Sequence, residues 1–184
     1  MNGAGQIEQD VRRWLDQAVI GLNLCPFAAK PYRDGQVRIS VSEARTEEAL
    51  LNDLQAELAL LDGKPAAELE TTLLAVPRML ADFDAYNQFL DLVDALLEEF
   101  DWAGTYQVAS FHPHYQFAGT QLDAAENLTN RSPCPILHLL REASLDAALE
   151  SYQAPEQIPE RNIRKVESLS LAERRKLFPY LFTG

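Results

Sequence analysis

Three short runs of β-forming residues, alternating with two long amphipathic helical patterns, predict an α/β fold for this chain of 184 residues. The runs are Gln36–Glu43, Leu69–Val76 and Thr105–Phe111, and the helical patterns lie between them. Strand, helix, strand, helix, strand with short links reads as two βαβ units with right-handed crossovers. The expected architecture is a single domain over 1–184. In it, helices pack on a small, mainly parallel sheet of three strands, with room for a fourth.

Residues 6–22 place Ile7, Val11, Trp14, Leu15, Ala18, Val19 and Leu22 at helical spacing, so an amphipathic helix is expected to end near Gly21. Pro26 then disfavours helical geometry for Cys25. In QVRISVSE, Val37, Ile39 and Val41 alternate onto one face, the pattern of a half-buried strand. Thr46 has the form of an N-cap, with Glu47 and Glu48 in a first turn whose dipole favours acid. Leu50, Leu51, Leu54, Leu58 and Leu61 carry that helix to an Asp62-Gly63 stop. LETTLLAV, closed by Pro77, is nearly continuous in apolar residues at its end, as for a strand buried on both faces. Residues 82–100 give the clearest helix, with Tyr86, Phe89, Leu90, Val93, Leu96, Leu97 and Phe100 on one stripe. Ser132-Pro133 combines an N-cap with a proline at the first helical position and predicts a helix over 133–143, although ILHLL also reads as a strand. Ser144 would cap the next helix. Residues 155–168 and 170–178 add two more, the last opened by a Ser170–Glu173 capping box.

Composition narrows the function. A chain 47% hydrophobic and 24% charged suits a soluble globular domain with a full core. A net charge of −12 opposes nucleic acid and anionic membranes, which both need a basic footprint. No long uncharged apolar run occurs, so no membrane span is expected. Asp10, Arg12, Arg13 and Asp16 interrupt the first twenty residues, which argues against a secretory signal and for the cytoplasm. Two cysteines make no disulfide framework and are expected as free thiols. CxxC, HExxH, P-loop and GxGxxG patterns are all missing, so the sequence names no cofactor.

Chemistry-bearing residues concentrate in Phe111–Glu142. That stretch holds all three histidines, one of the two cysteines, Asn127, Asn130, Arg131 and Arg141. Long ordered loops inside a compact domain are usually functional, and Phe111, Tyr115 and Phe117 argue against disorder. The loop follows the third strand, and α/β sheets bind ligands beyond the carboxyl ends of their strands.

Each candidate has a functional and a plainer reading. Cys25 is a nucleophilic or redox thiol if a helix N-terminus, His or Arg lowers its pKa; otherwise it is a small buried hydrophobe. His112 and His114 flank Pro113, and an extended backbone would point both the same way, as acid/base groups or metal ligands. The alternative is a surface pair at a strand end. Asn130, Arg131 and Ser132 before a helix N-terminus would make an anion site, or only a cap. On the expected helix, Cys134, His138 and Arg141 follow i, i+4, i+7 spacing and form one polar stripe, facing either a pocket or solvent.

Three stretches, GLNLCPFA (21–28), VASFHPHYQFAGT (108–120) and NRSPCPILHLLREAS (130–144), resemble in the same order the family known as domain of unknown function 1415. The resemblance covers roughly 6–165, leaving 166–184 as a C-terminal helical tail. It implies no activity. It marks recurring residues: Cys25, Pro26, Phe27, His112, Pro113, Tyr115, Phe117, Gly119, Asn130, Arg131, Ser132, Pro133, His138, Arg141 and Glu142. The family pattern commonly carries an aromatic residue at 134, so the resemblance implies no Cys25–Cys134 dithiol, and His114 belongs to the motif less firmly than His112.

The leading expectation is a small cytosolic enzyme, a hydrolase or group transferase acting on an anionic small molecule. Cys25, His112 and His138 would be catalytic, and Tyr115, Asn130, Arg131, Ser132 and Arg141 would bind substrate. One alternative is a non-catalytic module for a metal, haem or small anion. Another is a structural or partner-binding protein whose motif residues form a rigid polar network. No metal ligand set is assigned, no nucleic acid or membrane partner is expected, and the oligomeric state stays open.

Overall fold

The computed structural model describes residues 3–183. Helix α1, Ala4–Trp14, runs directly into a π-helical stretch, Leu15–Ile20. The N–H groups of Gly21 and Leu24 bond five residues back, to Asp16 and Val19. Gly21 is required at the close of this turn, because a Cβ there would lie 2.2 Å from the Gln17 carbonyl oxygen. A short helix α2, Ala29–Arg33, leads into strand β1, Val37–Val41. Helix α3, Glu47–Asp62, strand β2, Thr71–Ala75, helix α4, Phe83–Glu99, and strand β3, Tyr106–Phe111, follow as expected. The Thr46 hydroxyl accepts from Ala49 N–H, and the Asp82 carboxylate from Ala85 N–H, so both long helices start at side-chain caps.

The segment expected as a helix over 133–143 is instead strand β4, Ile136–Arg141. It lies antiparallel between β2 and β3, giving the order β1-β2-β4-β3. β1 and β2 are parallel. The sheet is therefore mixed, with four strands, rather than mainly parallel. A helix satisfies its backbone internally and cannot bond the facing edges of β2 and β3, whereas a strand in that gap pairs on both sides. The Ser-Pro signal is absorbed locally: Ser132 Oγ donates to Cys134 O at 2.6 Å, and no helix follows.

Helix α5, Glu142–Ser151, grows straight out of β4, so Ser144 lies inside it rather than capping it. A 3-10 turn at Pro155–Gln157 precedes α6, Ile158–Glu167, and α7, Leu171–Leu177, opens with the expected Ser170–Glu173 capping box.

The sheet separates two cores. Leu74, Val76, Leu137 and Leu139 pack under α3 and α4 with Leu50, Leu54, Leu58, Tyr86 and Phe89. Ile39, Leu73, Ala75 and Ile136 pack under α1 with Val11, Trp14, Val166 and Phe178. Each fully buried leucine contributes roughly 1.5–3 kcal/mol through apolar burial. β2 is buried throughout, as its unbroken apolar run requires. Arg38 on β1 grips Glu57 on α3 with two hydrogen bonds of 2.7 and 2.9 Å, a bidentate geometry that fixes orientation as well as charge. No helix among the described residues is long and apolar enough to cross a membrane.

Tyr86 ties α4 to the end of the sheet. Its hydroxyl donates to Ile136 O at 2.6 Å and accepts from Phe111 N–H at 3.1 Å. Tyr86→Phe leaves both buried backbone groups short of a partner, and is expected to lower unfolding free energy in urea by about 2 kcal/mol. Thr72 gives the opposite case, since its Oγ1 is buried with no hydrogen-bond partner among the described residues. Thr72→Val should leave stability unchanged or raise it by up to about 1 kcal/mol in the same titration.

Candidate functional site

The loop after β3 satisfies its own polar groups. The chain does not stay extended at His112-Pro113-His114: Tyr115 N–H bonds His112 O at 3.1 Å, closing a turn with Pro113 at its second position. His112 is fully buried. Its Nδ1 accepts the His114 N–H at 3.0 Å, so the ring proton sits on Nε2, which donates to Leu80 O at 2.9 Å. Burial lowers the His112 pKa, with the Leu80 carbonyl opposing. His114 points out to solvent. The Tyr115 ring packs between Phe83 and Phe117.

Asn130 Nδ2 donates to Ser110 O, and the Asn130 carbonyl accepts the His112 N–H. Arg131 gives Nε to Tyr115 O at 3.1 Å and a terminal N–H to Leu122 O at 2.6 Å, while its carbonyl accepts the Tyr180 hydroxyl. Asn127, also fully buried, takes the Phe117 N–H and the Thr120 hydroxyl on Oδ1 and donates to Gln121 O. With no helix after Ser132, no helix N-terminus faces Asn130, Arg131 and Ser132.

The strand also undoes the expected polar stripe. Strand side chains alternate, so His138 lies on one face and Arg141 on the other, although Arg141 still borders the cavity that Cys25 and His138 line. Arg141 donates to the carbonyls of Leu61, Lys64 and Leu69, capping the C-terminal end of α3. Cys134 is buried, and burial pushes its thiol up to about 12. His112 touches Phe83 and Tyr86 of one core, whereas His138 sits near Phe111 of the other, so the sheet keeps these two histidines apart.

His138 and Cys25 do meet at one space. Both line a cavity of about 530 Å³ floored by Leu73, roofed by Pro26 and Phe27, and closed at the side by Leu145 of α5. Its walls are mostly apolar. The cavity lies at the amino ends of β1 and β2, beside Val37 and Thr71, and not beyond the carboxyl ends where the loop expectation put it. The sequence reading missed Thr71. Its hydroxyl donates to Leu139 O at 2.6 Å, so its oxygen accepts from His138 Nε2–H at 2.9 Å. The ring is thereby oriented with Nδ1 unprotonated, and no described residue bonds that nitrogen. The pair of hydroxyls opening the otherwise apolar run TTLLA was the available signal.

Cys25 is half-buried. The left-handed Asn23, at φ 53°, turns the chain after the π-helical stretch, and π-turns inside helices recur at functional positions. Asn162 Nδ2 holds the segment by donating to Leu24 O, and the Phe27 ring stands edge-on to Tyr152 at 5.4 Å. Burial pushes the Cys25 thiol up, and the backbone N–H groups of Phe27 and Ala28 pull it part of the way back. Among the described residues no three of His, Cys, Asp and Glu come together as a metal site.

Burial pushes His138 from 6.5 down to about 4. Between those values the unfolded state binds the proton that the folded state refuses, so stability is full above about 6.5 and falls as pH drops towards 4. The downward shift of His112 acts in the same direction. Urea midpoints measured across this range should decline in the wild type and decline less in His138→Gln.

No curated protein and no solved structure matches the chain. The family described as Protein of unknown function (DUF1415) matches residues 6–176, through α6 and into α7. That match covers nearly the whole chain, and the protein belongs to this family.

Proposed function

We propose that the cavity beneath Cys25 receives a small apolar acyl compound and that Cys25 carries its acyl group in a hydrolysis or transfer reaction. The observation behind this reading is the shared wall: Cys25 and His138 line one largely apolar cavity, and Thr71 holds the His138 ring with Nδ1 free. A nucleophile, a base and a group that orients the base are the parts such chemistry needs. Arg131 and Arg141 are engaged on backbone carbonyls, so the proposed substrate carries no obligatory anionic group.

Burial leaves the thiol protonated and the imidazole neutral near pH 7. His138 Nδ1 would take the thiol proton as sulfur attacks the acyl carbon. The bond to the leaving group breaks, and the leaving group departs with that proton. Water, or a second nucleophile, then attacks the thioester, releases the product and returns the proton to sulfur. The apolar walls favour the acyl chain and keep bulk water from the intermediate.

A second reading rests on the same two shifts. A neutral thiol beside a neutral imidazole also suits a pocket that only binds apolar molecules. One experiment separates them: p-nitrophenyl butyrate mixed with the Cys134→Ser protein. The proposal expects a burst of about one equivalent of p-nitrophenol, butyryl-Cys25 by mass spectrometry, and a burst slowed about a hundredfold in His138→Gln. No burst, together with a Cys25 thiol that iodoacetamide reaches only after unfolding, would overturn it. A raised melting temperature with butyrate esters but no acylation would establish the binding pocket instead.

A further inference from the structure

Cys25 lines a second cavity, of about 370 Å³, on the side away from His138. It lies where α6 packs against the 3-10 turn Ala125–Asn130. Phe111 and Phe117 give it aromatic walls, and Ile158 and Ile163 of α6 extend the apolar surface. Of its polar lining groups, Glu126, Thr129, Asn130 and Asn162, only Glu126 is charged. The half-buried Glu126 carboxylate has no hydrogen bond or ion pair with any described residue. Asn162 uses its amide N–H on Leu24 O, which leaves its Oδ1 as an acceptor. The Asn130 amide donates one N–H to Ser110 O and accepts the Thr129 hydroxyl on Oδ1, so its side chain is anchored to the fold. No lysine or arginine lines the space.

Aromatic walls, a free carboxylate and a spare carbonyl oxygen are complementary to an ammonium group on an apolar body. Aromatic faces attract cations, and a partly desolvated carboxylate forms a charge-assisted hydrogen bond with one. An acidic chain of net charge −12 also draws cations rather than anions towards its clefts.

The geometry points to a two-substrate site, in which this second cavity binds a primary amine of apolar body and the amine accepts the acyl group from Cys25. The inference rests on the acyl-thiol reading above and specifies its acceptor. The balance is simple. The ammonium, held beside the Glu126 carboxylate, loses one proton to solvent, and the neutral nitrogen attacks the thioester carbon. The C–S bond breaks as the C–N bond forms, and a second nitrogen proton ends on sulfur. The products are an amide, the free Cys25 thiol and one proton released to solvent.

The test uses p-nitrophenyl butyrate as donor and 2-phenylethylamine as acceptor, with 2-phenylethanol as the uncharged counterpart. Calorimetry without donor should show the amine binding and the alcohol binding more weakly. Glu126→Gln should weaken amine binding about tenfold, the loss of one charge-assisted contact. Phe117→Trp, which fills the cavity, should abolish it, with circular dichroism confirming that both variants are folded. With donor present, the wild type should release p-nitrophenol faster as amine is added and form N-(2-phenylethyl)butanamide in place of butyrate. A wild-type burst followed by butyrate alone would overturn the amine acceptor and leave the acyl-thiol reading intact. Amine binding unchanged in both variants would also overturn it. A wild type with no burst would overturn the acyl-thiol reading, and the transfer with it.

Discussion

Strand β4 bonds both of its neighbours, and most of what distinguishes this protein follows from that. Ile136–Arg141 fills the gap between β2 and β3, where its N–H and C=O groups close two antiparallel ladders at once. The same six residues feed both cores, with Leu137 and Leu139 under α3 and α4, and Ile136 under α1. Tyr86 secures the end of the pairing at Ile136 and Phe111. Once the strand is fixed, alternation alone places His138 at the Cys25 cavity and leaves Arg141 to cap α3.

The residues that looked most chemical divide into two groups with different physics. His112, Asn127, Asn130 and Arg131 lie in a loop whose backbone would otherwise be buried without partners, and each side chain binds carbonyls or N–H groups of that loop or its neighbours. Such a network is stable only when each member is satisfied, because a missing partner in a low-dielectric interior costs more than an apolar replacement. Cys25 and His138 belong to the other group. The Cys25 thiol and His138 Nδ1 both border one cavity, and no described residue bonds His138 Nδ1.

Protonation in that cavity follows from desolvation. Removing water raises the thiol and lowers the imidazole, so neither is charged near neutrality. Cys134, buried more deeply and pushed up to about 12, packs in the core beneath α1.

How much of this was legible in the chain depends on range. The alternation of Val37, Ile39 and Val41, the leucine stripe of α3, the cap at Thr46 and the Ser170–Glu173 box were all readable, because each is set by neighbours within a few residues. The motif segments around Cys25, His112 and His138 were readable too, and with them the family. The mixed sheet was not. Ser132-Pro133 carries a genuine helix-start signal, and only the unpaired edges of β2 and β3, far away in sequence, overrule it. The same holds for the site. Local spacing proposed a stripe of Cys134, His138 and Arg141, but a period of two in place of 3.6 sends His138 and Arg141 to opposite faces of the sheet. The chain alone carried its locally set helices and strands and its chemical inventory; tertiary packing decided the strand at Ile136–Arg141, which polar groups bind the fold's own carbonyls and which border a cavity, since that depends on hydrogen bonds between residues far apart along the chain.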